Sequence, residues 1–282
     1  MWKAKAYLVL RDIFPRWVTD LGLLSSKGII YKYFHYKEKV NYRAADVIGV
    51  QSKANIDYFK NKHWSRYYKL DVLYNWMASK NIKKKKLESF KESYRKKLNL
   101  ENKIVLIYGG NIGVAQDIDN ILRLAKRCHS LKRVYFLLAG SGSEKSRISS
   151  EISKQRLSNI SLMSPLKQEE YFSMISEFDI GLISLSRKLT THNFPGKMLG
   201  YMHANLPIVA SINPGNDLFD VILDAEAGFV CENGNDDAFY AAVCRLVTDV
   251  HLQNKMGENS RKLLMKTFSA KQAAQIILSS LT

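Results

Sequence analysis

The 282-residue chain has little cysteine: Cys128, Cys231 and Cys244 are the three. They are odd in number, far apart and form no C-x-x-C pair, which excludes a disulfide framework and a zinc finger and suits a reducing compartment. Long apolar runs are missing as well. Nowhere do eighteen apolar residues follow one another, so no segment reads as a membrane-spanning helix. The opening MWKAKAYLVLRDIF lacks a small-residue cleavage site and does not read as a signal peptide. The six histidines show no metal-ligand spacing. Acidic residues are scarce at the start: residues 1–100 hold 8 Asp and Glu against 23 Lys and Arg, whereas residues 101–282 hold 18 against 20. This asymmetry points to an anionic partner for the first half, either nucleic acid or an anionic lipid surface, and equally fits a solvated basic face. No helix-turn-helix, zinc or base-stacking motif accompanies the charge, so nucleic acid ranks last.

What is present is a rhythm. Ile104–Tyr108 and Val134–Ala139 are continuous apolar runs, each ending in glycines: Gly109-Gly110-Asn111-Ile112-Gly113 and Gly140-Ser141-Gly142. Further strands are expected near 160–163, 179–185 and 207–211, alternating with helices at 168–177, 196–204 and 216–224. Continuous apolar strands between amphipathic helices predict an α/β fold with a parallel sheet covered on both faces. Ligands of such sheets bind beyond the carboxyl ends of the strands, where these glycines fall. In the first half, strands are expected at Tyr7–Leu10 and Val47–Val50, with helices around 27–43 and 52–60. So small a sheet reads as the tail end of a Rossmann-like domain.

The boundaries expected are 1–76 for this remnant, 77–100 for a linker entering a charged helix, 101–266 for a complete α/β domain with its ligand site at the strand ends, and 267–282 for a C-terminal helix packing back toward the first domain.

Two segments carry chemistry. Gly-Gly-Asn-Ile-Gly follows a strand and opens a helix, a place where backbone can approach phosphates; a plain β–α turn would look the same. In HNFPGKMLGYMHANLP, Pro195 suits a first helical turn and Gly196 allows close approach. Lys197 would oppose the helix dipole, which makes sense if an anion docks there; a solvated surface lysine is the alternative. Asp12 ends a strand and could orient an acceptor hydroxyl or cap a helix. His192, near Lys197, could touch the same ligand. Glu169 and Glu170 open a helix and read as structural.

The segments YGGNIGVAQDIDNIL, LLAGSGSE, PLKQEEYFSMISEFDIGLISL and FPGKMLGYMHANLPIVASINPGNDL, in that order, resemble family 4 glycosyltransferases of the GT-B fold. The likeness is greatest to the fucosamine transferases of O-antigen synthesis. RDIFPRWVTDLGLL is similar to an acceptor-domain element of that family, and VLYNW sits where the family changes domains. The resemblance implies one complete Rossmann-like domain plus part of a second. It also implies transfer of a sugar, possibly N-acetyl-L-fucosamine, with retention of configuration, from a nucleotide diphosphate donor to a polyprenyl-linked glycan.

Such an enzyme would be cytoplasmic and peripheral at the inner membrane. It would use no cofactor and no metal, and the nucleotide sugar would be its substrate. By resemblance, the donor-binding residues are Gly110, Asn111, Gly113, Gly140, Ser141, Gly142, Pro165, Leu166, Phe194, Pro195, Gly196 and Lys197. Arg187 and Lys188 would serve as further cations. Trp2, Phe14, Trp17 and Trp64 would anchor the basic half to lipid.

The sequence departs from the family in three ways. A ribose-binding Glu is replaced by Gly200, and an Arg by Val114. The family's first hundred or so residues have no counterpart, so the expectation is an N-terminally truncated chain, inactive alone or reduced to a nucleotide-sugar-binding remnant, with residues 1–75 labile and 101–266 protected.

Overall fold

The computed structural model describes residues 4–62, 64–78 and 93–282. Two parallel sheets are built in succession. The first holds β1 (Tyr7–Leu10), β2 (Val47–Val50) and β3 (Leu70–Val72) in the order β1-β2-β3. Its helices are α1 (Arg16–Asp20), α2 (Ile29–Arg43) and α3 (Lys53–Asn61). After α4 (Tyr94–Lys97) comes the second sheet: β4 (Ile104–Asn111), β5 (Val134–Ser141), β6 (Ile160–Met163), β7 (Ile180–Ser184), β8 (Ile208–Ile212) and β9 (Gly228–Glu232). Between and after these strands run α5 (Ile118–Arg127), α6 (Lys145–Lys154), α7 (Gln168–Ile175), α8 (Lys197–His203), α9 (Leu218–Asp224), α10 (Asp236–Thr248), α11 (Val250–Thr267) and α12 (Ala270–Leu281).

The second sheet has the order β6-β5-β4-β7-β8-β9, parallel throughout. The chain winds outward from β4 through β5 to β6, then returns to lay β7 on the other side of β4. This reversal leaves a crevice at the carboxyl ends of β4 and β7, the place where open α/β sheets bind ligands. The apolar runs are continuous because both faces are covered: Val105 and Ile107 enter one core cluster with Met198 and Tyr201, while Leu106 and Tyr108 enter the other with Ile121 and Phe239. Each fully buried side chain of this kind contributes about 1.5–3 kcal/mol.

The first sheet has a smaller core, in which the buried Ile13, Tyr42, Ile48, Val50 and Phe59 form one cluster. Trp64 packs against Phe59 at 5.7 Å between ring centroids and edge-on to Tyr42. It therefore belongs to this core rather than to a lipid-facing surface, as the sequence suggested. Trp2 and His63 lie outside the described residues. β1 is an edge strand, pairing only with β2 among the described residues.

The last helix returns to the first sheet. Met77 bridges Ser269, Lys69 Nζ donates to the Ser280 carbonyl at 2.7 Å, and Ser280 donates to Asp71. Of the segment expected as linker and charged helix, residues 79–92 lie outside the described residues, and α4 is four residues long. It is held to the second sheet by Arg95, which pairs with Asp179 at 2.7 Å, and by Tyr94, which donates to Glu170.

Candidate functional site

A cavity of about 810 Å³ opens at the carboxyl ends of β4 and β5, within the range of ligand pockets. Backbone makes much of its floor. Gly110 has φ +108°, open only to glycine without strain, and a Cβ on Gly140 would stand 1.8 Å from the Gly110 carbonyl oxygen. The two strand ends can therefore lie side by side only because both positions lack side chains. Gly109 is overlaid by the Tyr171 ring and donates its N–H to the Tyr201 hydroxyl at 2.8 Å.

Lys197 is the one cationic side chain of this cavity among the described residues. Its methylenes face the cavity, with Cε 3.8 Å from the position of a Gly110 Cβ, but its Nζ is sealed from solvent. The ammonium rests 3.3 Å from the centre of the Tyr108 ring and has no hydrogen-bond partner. Burial pushes its pKa well below the ordinary lysine value. A cation–π contact compensates only part of what a buried, unbonded ammonium loses. An anion entering the cavity would supply the missing partner once the side chain turns its Nζ off the Tyr108 ring.

A second cavity of about 480 Å³ lies in the cleft between the two sheets and shares Asn111, Gln116, Pro195 and Gly196 with the first. Arg11, Asp12, Gln51 and Asn75 reach it from the first sheet. Asn193 donates to Asp12 at 2.5 Å, and Asp12 is nonetheless pushed up in pKa, chiefly by burial. The buried Asn75 accepts from Arg11 and from Gln51 (3.2 Å) and donates to the Phe194 carbonyl at 2.8 Å.

The same first-half elements hold the rest of the loop after β7. Asn55 exchanges two hydrogen bonds with the His192 backbone (2.9 and 3.0 Å), and Asp20 accepts from Thr190 N–H and hydroxyl (2.8 and 2.6 Å). The loop that presents Phe194, Pro195 and Gly196 is thus clamped by side chains from the other sheet.

The sequence-predicted residues separate accordingly. Gly110, Asn111, Gly140, Ser141, Pro165, Leu166, Pro195, Gly196 and Lys197 all line the larger cavity, and Gly200 does too. Gly113 and Phe194 line the cleft instead, Phe194 stacked on Tyr74 at 5.0 Å. Gly142 lines neither; at φ +153° it lets the chain pass the Ile112 carbonyl.

Four expectations are corrected. Arg187 and Lys188 do not join Lys197: they stand in a separate recess with Arg147 and Asp119, because β7 delivers them before the loop turns back. The His192 ring lies outside the lining of both cavities and contacts Asn213 at 3.2 Å; burial lowers its pKa. Pro195 and Gly196 precede the helix, which begins at Lys197, so Pro195 is not in its first turn. Nor does Asp12 cap a helix, since α1 has Pro15 at its N-cap.

The sequence reading missed Tyr108, Tyr171 and Tyr201, which look like ordinary core aromatics. It also missed the amides Asn55 and Asn75, whose partners His192 and Phe194 lie more than a hundred residues away, and Gln51, which bonds Asn75. Among the described residues, no group of three or more His, Cys, Asp or Glu gathers to hold a metal ion.

Residues 90–263 match the family described as Glycosyl transferases group 1. A probable glycosyltransferase, WbjE of Pseudomonas aeruginosa, is 23% identical over 268 residues, covering 94% of this chain and 65% of that protein. The chain thus spans less than two thirds of that relative's length. Among solved structures, HepE of Anabaena in complex with UDP superposes with a TM-score of 0.75 at 14% identity, over 98% of this chain and 72% of HepE. A variant of TarM from S. aureus, in complex with fondaparinux, alpha-GlcNAc-glycerol and UDP, gives 0.72 at 17% identity, over 99% of this chain and 51% of TarM. At these identities the likeness shows the fold, an α/β arrangement of the GT-B type.

Proposed function

Because the chain belongs to the group 1 glycosyl transferases, we propose that it moves a sugar from a nucleoside diphosphate donor in the larger cavity to a glycan held in the cleft. In this reading residues 101–266 bind the donor, residues 1–76 face the acceptor, and the helix in 267–282 ties the two together. The finer reading is a retaining transfer of N-acetyl-L-fucosamine to a polyprenyl-linked glycan of O-antigen or capsule, at the cytoplasmic face of the inner membrane. The order of its motifs supports it.

The observation that carries the proposal is the sealed, unpartnered ammonium of Lys197 beneath the two glycine strand ends. A diphosphate there gains a charge-assisted hydrogen bond, and Gly110 and Gly140 leave its oxygens room to approach backbone. As the sugar–phosphate bond breaks, negative charge grows on the leaving diphosphate. A cation fixed in a low-dielectric wall stabilises that charge more than water does. In a retaining transfer the acceptor hydroxyl attacks on the face the diphosphate leaves, and its proton passes to a diphosphate oxygen. Asp12 faces the cleft and would orient that hydroxyl.

The test is calorimetric titration of the full chain with UDP. Lys197→Ala should weaken binding by about 1–3 kcal/mol, the range for one charge-assisted hydrogen bond. Absence of binding to the unsubstituted chain would reject the site. An unchanged affinity in the variant would reject the lysine's role.

A further inference from the structure

α2 turns an apolar face to solvent. Ile29 is 84% exposed, Ile30 61% and Tyr33 55%, and Phe34, Tyr36 and Val40 are exposed as well. At 100° per residue these six fall on one broad stripe, opposite the buried Glu38 and Tyr42. A helix normally buries such a stripe, and this one has buried its other side. The stripe is also basic: Lys37 lies within it, its Nζ 5.7 Å from the Tyr33 ring, and Lys32 and Arg43 run along its edge. The helix's one acid, Glu38, faces inward, bonded to Tyr42 (2.7 Å) and His35 (2.9 Å), so no carboxylate opposes this charge from α2 itself.

The apolar surface continues off the helix. Phe34 meets Phe14 edge-on at 4.9 Å, and Phe14 meets Trp17 at 6.5 Å. Trp17 and the 57%-exposed Leu23 both line the cleft cavity. An unbroken apolar path therefore leads from the outer face of α2 to the mouth of the cleft.

We propose that this face docks on an anionic lipid surface, with the path through Phe14, Trp17 and Leu23 admitting the lipid-borne end of the acceptor to the cleft. The proposal rests on the membrane association put forward above and names the surface that performs it. Charge decides between occupants. A covering protein element would bury Lys37 in the middle of an apolar stripe, at the cost of desolvating it. At a bilayer the same lysine extends to a lipid phosphate while its methylenes and the aromatics enter the interface.

Vesicle sedimentation of the full chain tests this. The vesicles are phosphatidylcholine alone, or equal parts phosphatidylcholine and phosphatidylglycerol, at low salt. The unsubstituted chain should prefer the anionic vesicles. Ile29→Ser with Ile30→Ser, and separately Lys32→Glu with Lys37→Glu, should each lower partitioning about tenfold or more. Both pairs are exposed, and UDP binding in solution should be unchanged, which also shows that the variants fold. If the chain binds anionic vesicles and both variants bind equally well, this face is not the docking surface, though the membrane reading stands. If the chain binds neither vesicle, the membrane reading falls and this proposal with it. A dimer that dissociates in the serine variant would assign the face to a second copy and overturn the lipid.

Discussion

The two sheets of this protein were built by the same rules and ended with different degrees of independence. The second has six strands, an apolar core on each face and helices over both. The first has three strands, one small cluster of buried apolar residues among the described ones, and an outward apolar helix face. A parallel sheet gains stability by being covered on both sides, so the larger unit carries its own fold. Yet the loop after β7, at residues 190–194, is held by Asp20, Asn55 and Asn75 of the smaller one. The larger sheet supplies the platform, and the smaller one sets the geometry of the loop above it.

The largest effect expected comes from emptying the small core. Phe59 is fully buried, and Phe59→Ala should cost about 3–5 kcal/mol. Hydrogen exchange should then accelerate through residues 4–78 while β4, β5 and β7 keep their protection. Residues 190–193, whose anchors lie in the loosened half, should lose protection with it. Equal acceleration in both sheets would show a single cooperative unit and end the comparison.

A smaller change sharpens it from the other side. In the dense sheet, a Cβ at Gly140 would meet the Gly110 carbonyl oxygen at 1.8 Å. Gly140→Ala should cost about 3 kcal/mol or more, as overpacking does when neither partner can yield. Thermal unfolding would read this directly, and a melting point within a degree or so of the parent would contradict the rigidity claimed for the β4–β5 junction.

Proton linkage is next in size. Burial lowers the Lys197 pKa in the free protein, and a bound diphosphate restores the charged form. Binding should therefore take up a proton at any pH between the depressed value and that of the complex. Over this window affinity should fall as pH rises, by up to tenfold, or about 1.4 kcal/mol, per pH unit. Titrations with UDP in buffers of different ionisation enthalpy should give different heats; identical heats would mean that Lys197 is already charged. The smallest effect is expected in the sparse half. Gly22 has φ +72° but nothing within 4 Å of a Cβ, so Gly22→Ala should cost only about 1 kcal/mol, from backbone strain. A loss as large as that at Gly140 would show the two regions to be packed alike.

Much of this was legible in the chain. The strands of the second sheet announce themselves because burial on both faces makes every position apolar, and Ile104–Tyr108 needs no partner to be recognised. The glycines at 109–110 and 140 were legible because strand ends that touch leave no room for a Cβ. The run of motifs carried the family, which the match over residues 90–263 shows.

What the sequence could not reveal was direction. Arg187 and Lys188 read as cations available to the same ligand as Lys197, but the path of the loop after β7 sends them to another recess. Lys197 itself read as an anion ligand with a surface lysine as the alternative, because local sequence fixes where a helix starts and not which way a side chain turns. Packing against the Tyr108 ring decided that its Nζ would be sealed and unpartnered. Asn55 and Asn75 show the same limit: an amide's value lies in the backbone it meets across the cleft, and that neighbour exists only once both sheets have folded.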